Sequence, residues 1–152
     1  MITVNDVLQV FRRRIGDTET PYTYEDNLLI GYIQDGISQV EMDWSRGIGV
    51  TITIIDDTVV PPTTTIEFDT NYELQNIDAQ LFAIKAHYII TLTTKSKADR
   101  DNFRMVKGRL TLDNTNQADD HAETLRLLDA EYKRTLFLIK NGGLANKGVR
   151  VE

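Results

Sequence analysis

The chain has 152 residues, 41% of them hydrophobic and 26% charged, enough apolar material for a core that needs no covalent staple. It contains no cysteine, which excludes disulfides, thiol nucleophiles and thiolate metal sites. Seventeen Lys and Arg against 23 Asp and Glu leave a net charge of -6, whereas a tight grip on duplex DNA calls for a basic face.

Basic residues gather only in short groups: Arg12-Arg13-Arg14, Lys95 to Arg100, and Arg104, Lys107 and Arg109. The N-terminal MITVNDVLQVFRRR lacks the basic-then-apolar order of a secretory leader. No window approaches the roughly 18 apolar residues of a membrane span, so no membrane partner is expected.

The first helix is predicted over Val4 to Ile15. Thr3 and Asp6 give a T-x-x-D start like a capping box. Val4, Val7, Leu8, Phe11 and Ile15 recur at helical spacing, and Gly16 is a natural stop. The three arginines lie in the last turns, where cations suit the helix dipole, and read as a solvated helix end. After the loop GDTETPYT, Thr23 and Asp26 suggest a second cap. A second helix is predicted from about Tyr24 to Ser45, with Leu29, Ile33, Ile37, Val40 and Trp44 as its stripe. Gly31 and Gly36 interrupt it, each at a cost of about 1 kcal/mol relative to Ala. Close approach of a neighbouring helix is a reason to tolerate glycine at Gly31. Trp44 reads as a core or interface anchor.

The stretch GVTITIIDDTVVPPTTTIEFD, Gly49 to Asp69, breaks the helical pattern. Period-two alternation and β-branching predict two strands, with Asp56 to Pro62 as the turn, since Pro61 and Pro62 cannot lie inside a central strand. Ile52, Ile54, Ile66 and Phe68 would share an apolar face. Two readings stay open: this face folds back across the chain's own helices, or it awaits a neighbouring chain.

A third helix is predicted from Leu74–Asn76 to at least Thr94, with Ile77, Leu81, Ile84, Tyr88 and Leu92 as one stripe. Phe82, Ala86, Ile89 and Ile90 add apolar surface on other sides, which marks a central, buried helix. At Thr93 to Lys97 it either leaves the core or breaks, before helical character resumes over Ala98 to Lys107. GRLTLD reads as a short strand or extended link. The last helix is predicted over about Asn116 to Asn141, with Ala118, Ala122, Leu125, Leu128, Tyr132, Leu136 and Ile139 as its stripe. Asn141-Gly142-Gly143 is its expected stop, and Leu144 to Glu152 an expected flexible tail whose Leu144, Val149, Arg150 and Val151 are candidate partner contacts. The fold class is therefore mainly α: a bundle of about four helices in one domain, residues 1–143, with an inserted hairpin and a C-terminal tail, 144–152.

The chain offers little to chemistry. Two histidines, His87 and His121, sit on separate predicted helices without zinc-site spacing, His87 reading as a core histidine and His121 as a surface one. DNTNQADDHAE is acidic, but counted as a calcium loop it places Ala118 where Gly is needed and Thr124 where Glu is needed. No G-x-S-x-G, P-loop or dinucleotide motif occurs. No catalytic, cofactor or metal residue is assigned, and no enzyme is expected. The features left are strands and a tail suited to joining other chains.

In order and pattern, these elements resemble the head–tail connector (adaptor) proteins of tailed bacteriophages. RRRIGD closes a short first helix. YEDNLLIGYIQDGISQVEMDW is similar to the family's second helix, with Gly36 where alanine is frequent. DAQLFAIKAHYIITL is similar to the central helix, and LTLDN through TLFLIKNGG to the closing portion. The resemblance covers roughly Val4 to Gly143. It implies a virion protein made in the host cytoplasm, which forms a homomeric ring, commonly of twelve subunits, below the portal protein. It completes the head and seats the next neck, stopper or tail component. DNA passes through the lumen without specific binding. The family has no catalytic residues to carry over. The alternatives are another neck or tail-completion protein, or a packaging factor like a small terminase subunit, which would need a helix-turn-helix and a basic face.

Overall fold

Thr3 opens the first helix by a reciprocal cap. Its hydroxyl accepts from the Asp6 N–H at 3.2 Å, and the Asp6 carboxylate accepts from the Thr3 N–H at 2.8 Å. The helix, α1, spans Val4–Ile15 and ends where Gly16 turns left-handed at φ 76°, its N–H bonding back to the Arg12 carbonyl. Such a conformation is nearly free for glycine and costly for other residues. Start and stop agree with the sequence pattern, and Val4, Val7, Leu8 and Phe11 are buried as expected.

The computed structural model describes residues 2–56, 58–60, 63–70, 73–107 and 115–150. Its elements in chain order are α1, α2 (Asp26–Asp43), β1 (Gly49–Asp56), β2 (Thr63–Asp69), α3 (Asn76–Lys107) and α4 (Thr115–Arg150). The protein is thus mainly α, with four helices and one antiparallel hairpin among the described residues. It divides into two compact units, Met1–Ala86 and His87–Glu152, and α3 runs through both.

In the first unit, α2 starts at Asp26 rather than Tyr24, and its N-cap Glu25 makes no side-chain cap bond. The expected Thr23–Asp26 cap does not form because both partners are engaged elsewhere: the Thr23 N–H donates to Asp17 at 2.7 Å, and Asp26 pairs with Arg12. The helix buries Leu29, Ile33, Ile37 and Val40, as their spacing predicts, together with Gly36. The close approach falls at Gly36, not at Gly31. A Cβ on Gly36 would lie 3.1 Å from the Ala86 nitrogen and 3.4 Å from the Phe82 carbonyl oxygen of α3, while one on Gly31 would meet nothing within 4 Å.

The hairpin pairs Gly49 with Asp69, Val50 with Phe68, Thr51 with Glu67, Ile52 with Ile66 and Thr53 with Thr65, and its register slips between Ile54 and Asp56. Residues opposite one another share a face, so the register keeps Ile52 with Ile66 as the alternation predicts, places Val50 rather than Ile54 opposite Phe68, and sets Ile54 opposite Thr64. The Phe68 ring centre is 5.9 Å from that of Phe82 on α3, a distance suited to a favourable aromatic pair.

α3 is apolar nearly all round in its first turns: Ala79, Leu81, Phe82, Ala83, Ile84 and Ala86 are all buried. The stripe is narrower than expected, since Ile77 and Leu92 at its ends are exposed. The helix does not break at Thr93–Lys97. The Thr93 and Thr94 hydroxyls donate to the Ile89 and Ile90 carbonyls at 3.0 and 2.9 Å, so these polar residues find partners within the helix and need no turn.

In the second unit, α4 buries Leu128 and Tyr132 from the expected stripe. It runs past the expected stop at Asn141-Gly142-Gly143 to Arg150. Two glycines cost about 1 kcal/mol each, and good helix formers follow in Leu144, Ala145 and Lys147. The Asn141 side chain stays inside the helix, donating to the Phe137 carbonyl at 2.9 Å. GRLTLD lies outside the described residues.

Candidate interaction surface

Arg12 occupies the fourth position after Leu8 and the eighth after Val4, which puts a cation on the apolar stripe of α1. Its side chain is 2% exposed. The guanidinium donates to Asp17, to Asp26 and, at 3.0 Å, to the Tyr24 carbonyl, and it sits 3.9 Å above the Tyr22 ring. Asp17 is also buried and accepts from the N–H groups of Thr23 and Tyr24 at 2.7 and 3.3 Å. One arginine and one aspartate thereby hold the α1–α2 loop, which contains a cis Thr20–Pro21 peptide. The reading of all three arginines as solvated fails for Arg12, because the helical period turns it inward; Arg13 does remain exposed.

Burial opposes ionisation of Asp17, but hydrogen bonds from the Thr23 and Tyr24 backbone and the charge of Arg12 outweigh it and hold the carboxyl below the ordinary carboxylate range. The unfolded chain therefore takes up this proton at a higher pH than the folded chain. The stabilisation is complete above about pH 5 and is lost as pH falls through about 4 and below. Asp17→Asn should melt lower than the wild type at neutral pH and show a flatter loss of melting temperature between about pH 5 and 3. An unchanged acid slope in that variant would remove Asp17 from the account.

A second clasp fixes the root of the hairpin. Arg46 donates to Asp78 at 2.7 Å, with both side chains largely buried, and its guanidinium lies 4.2 Å over the Trp44 ring. Asp78 also accepts from the Gln75 N–H at 2.9 Å. Glu41 accepts from the N–H groups of Arg46 and Gly47 at 3.0 and 2.8 Å, and Gly47 turns at φ 70°. Trp44 is half-buried, serving as a stacking anchor where α2 gives way to β1. Sequence reasoning missed this clasp, because Arg46 and Asp78 are 32 residues apart and neither sits in a motif.

An open cleft of about 550 Å³ lies beside α1 and the start of α3, with Asp6, Gln9 and Arg13 along one side and Glu73, Gln75 and Gln80 along the other. Its mixed charges form no acid–base or nucleophile pair. Among the described residues no group of His, Asp and Glu could hold a metal ion, and no helix is long and apolar enough to cross a membrane. His87 and His121 are both half-buried; His121 is more covered than a surface position implies.

The candidate contact residues fall in both units. Ile66 and Phe68 are half-buried on the face that carries the Phe68–Phe82 pair, and the register places Ile52 opposite Ile66 and Ile54 opposite Thr64. Leu144, Val149 and Arg150 fall in the last turns of α4, and Val151 lies outside the described residues. On the other face of the hairpin Thr51, Thr53, Glu67 and Asp69 are exposed, and at its tip Val59 and Val60 are exposed, Val60 by 93%. Comparison with protein families, with curated proteins and with solved structures finds no match.

Proposed function

We propose that this chain is a ring-forming head–tail adaptor of a phage neck, which binds below the portal after DNA packaging and seats the next neck or tail component. The observation that carries the reading is a hairpin arm, exposed along one face and at its tip, rooted by a buried clasp on a mainly helical body. That is a structure for reaching another chain, on an element order similar to the adaptor family. The helical body packs side to side in the ring. The arm engages a neighbouring subunit or the next component, and the end of α4 meets the portal. A net charge of -6 suits a conduit that must release DNA, since a cationic bore would retain it.

Native mass spectrometry of the chain with and without portal protein tests this reading. A ring that forms alongside portal supports it, while salt-dependent binding of duplex DNA without any ring counts for a packaging factor instead. Deleting Leu144 to Glu152 should leave a folded chain that no longer joins portal-bearing heads. Undiminished attachment after that deletion would free the end of α4 from the portal role.

A further inference from the structure

In the second unit, α4 leaves one side open. Its inner side buries Leu128 and Tyr132. On its outer side Leu127, Phe137 and Leu138 are 55%, 65% and 50% exposed, and Ala130 between them is exposed too. One exposed leucine is ordinary, but three large apolar side chains within about three turns of one helix form a patch. Glu123, Leu127, Ala130, Arg134, Phe137 and Asn141 follow one another at alternating steps of four and three. The first five are exposed and Asn141 is half-buried. Such steps make a seam between two helices, so the surface fits another helix.

Charge on the two flanks of the seam identifies that helix. Arg126, Lys133 and Lys140 recur every seven residues along one flank, whereas Thr124, Glu131 and Leu138 on the other bring one acid and no cation. A second α4 laid antiparallel would set the cationic flank against itself and Glu131 against its own copy. Laid parallel, it sets each flank against the opposite one. Arg126 of one copy then comes beside Glu131 of the other, and the Lys133 stem lies along the other Leu138. Arg126 and Lys133 pair along their own helix with Glu123 and Asp129, both at 2.7 Å and all exposed or half-exposed. Pairs of this kind contribute little and exchange readily. One chain has one α4, so the same chain cannot supply this partner.

We propose that the outer face of α4 pairs with α4 of a second copy, parallel and in register. The contact uses the same surface on both copies and closes on two of them. It goes beyond the ring of the adaptor reading and does not depend on it. Leu127 packs on Leu127 and Phe137 on Phe137 across the pair. Arg134 lies in the seam between these layers. A polar residue there fixes register while weakening the pair, and its stem covers apolar surface as its head reaches water. From Leu127 to Phe137 the seam is about 15 Å long, so the pair is in equilibrium with free chains.

The chain has no cysteine, so a single introduced thiol forms a disulfide only between copies. Ala130→Cys places it in the seam, and Ala122→Cys places it at an exposed position off the seam. Mild oxidation of full-length chains should link the seam variant at least tenfold faster than the other. Adding Leu127→Gln/Phe137→Gln to the seam variant should remove that advantage, with circular dichroism unchanged because both side chains are exposed. Arg134→Leu should tighten the monomer–dimer equilibrium at least tenfold by sedimentation. Equal linking rates at the two positions, or an advantage that survives the double Gln substitution, would overturn the proposal. So would Ala130→Cys chains that link faster to Arg134→Cys chains than to one another, which is the mark of antiparallel helices. An Arg134→Leu chain that forms mainly species larger than a dimer, or a wild type still monomeric at about 1 mM, would overturn it as well.

Discussion

Arg12→Ala should lower the stability of the protein by about 3–5 kcal/mol, the range seen when one partner of a buried ion pair is removed. For a chain of this size that corresponds to a fall in melting temperature of roughly 10 °C, read by calorimetry or urea titration. Asp17 is the reason for so large an effect. It is buried, and without the guanidinium its charge keeps neutral donors from Thr23 and Tyr24 and loses its buried cation. Desolvating a carboxylate is costly when no cation compensates it. Asp26 adds less, because its side chain is 63% exposed and water can replace the arginine. Lysine should not rescue. A guanidinium reaches Asp17, Asp26 and the Tyr24 carbonyl at once and still stacks on Tyr22. An ammonium presents a compact point charge without the planar fork. A loss below about 1 kcal/mol, the value of an ordinary surface ion pair, would mean that the loop does not depend on this arginine.

The same arginine shows how far the sequence could be read. The helical period that made Val4, Leu8 and Phe11 legible as a buried face also placed Arg12 on it. Residue type suggested solvent and spacing suggested the core, and spacing decided. Elsewhere the decisive partners are distant along the chain. The start of α2 shifts because Thr23 and Asp26 are claimed by residues of the preceding loop and helix. The Arg46–Asp78 clasp joins two otherwise unremarked positions. Strand alternation gave the hairpin and its apolar face, since period two is a local property. What that face packs against is tertiary, and Phe82 lies on a helix that begins seven residues after β2 ends. The end of α4 was misread because a Gly-Gly pair is only a propensity of about 2 kcal/mol, which the helix formers after it offset. The exposed, acidic side of the hairpin was passed over altogether. Threonines and carboxylates on a strand read as ordinary solvated surface until the other face is seen to be occupied.

Gly31 and Gly36 provide the sharpest contrast between local preference and tertiary packing, because they lie five residues apart on one helix. By propensity alone, replacing either should stabilise α2. At Gly31 that expectation holds: a Cβ there meets nothing within 4 Å, so Gly31→Ala should gain about 0.5–1 kcal/mol. At Gly36 the atoms in the way are the Ala86 nitrogen at 3.1 Å and the Phe82 carbonyl oxygen at 3.4 Å, both backbone and unable to rotate aside. Gly36→Val adds two further methyl carbons to that contact. Either α2 and α3 must separate, losing burial around Leu29, Ile33 and Phe82, or the backbone must bend. Overpacking of this kind costs about 3 kcal/mol, several times the propensity gain. Urea titration of the two single variants should therefore show midpoint shifts of opposite sign. A neutral Gly36→Val, or a Gly31→Ala loss of similar size, would show that α2 and α3 do not meet backbone to backbone at Gly36, and the helical platform on which the hairpin is rooted would need redrawing.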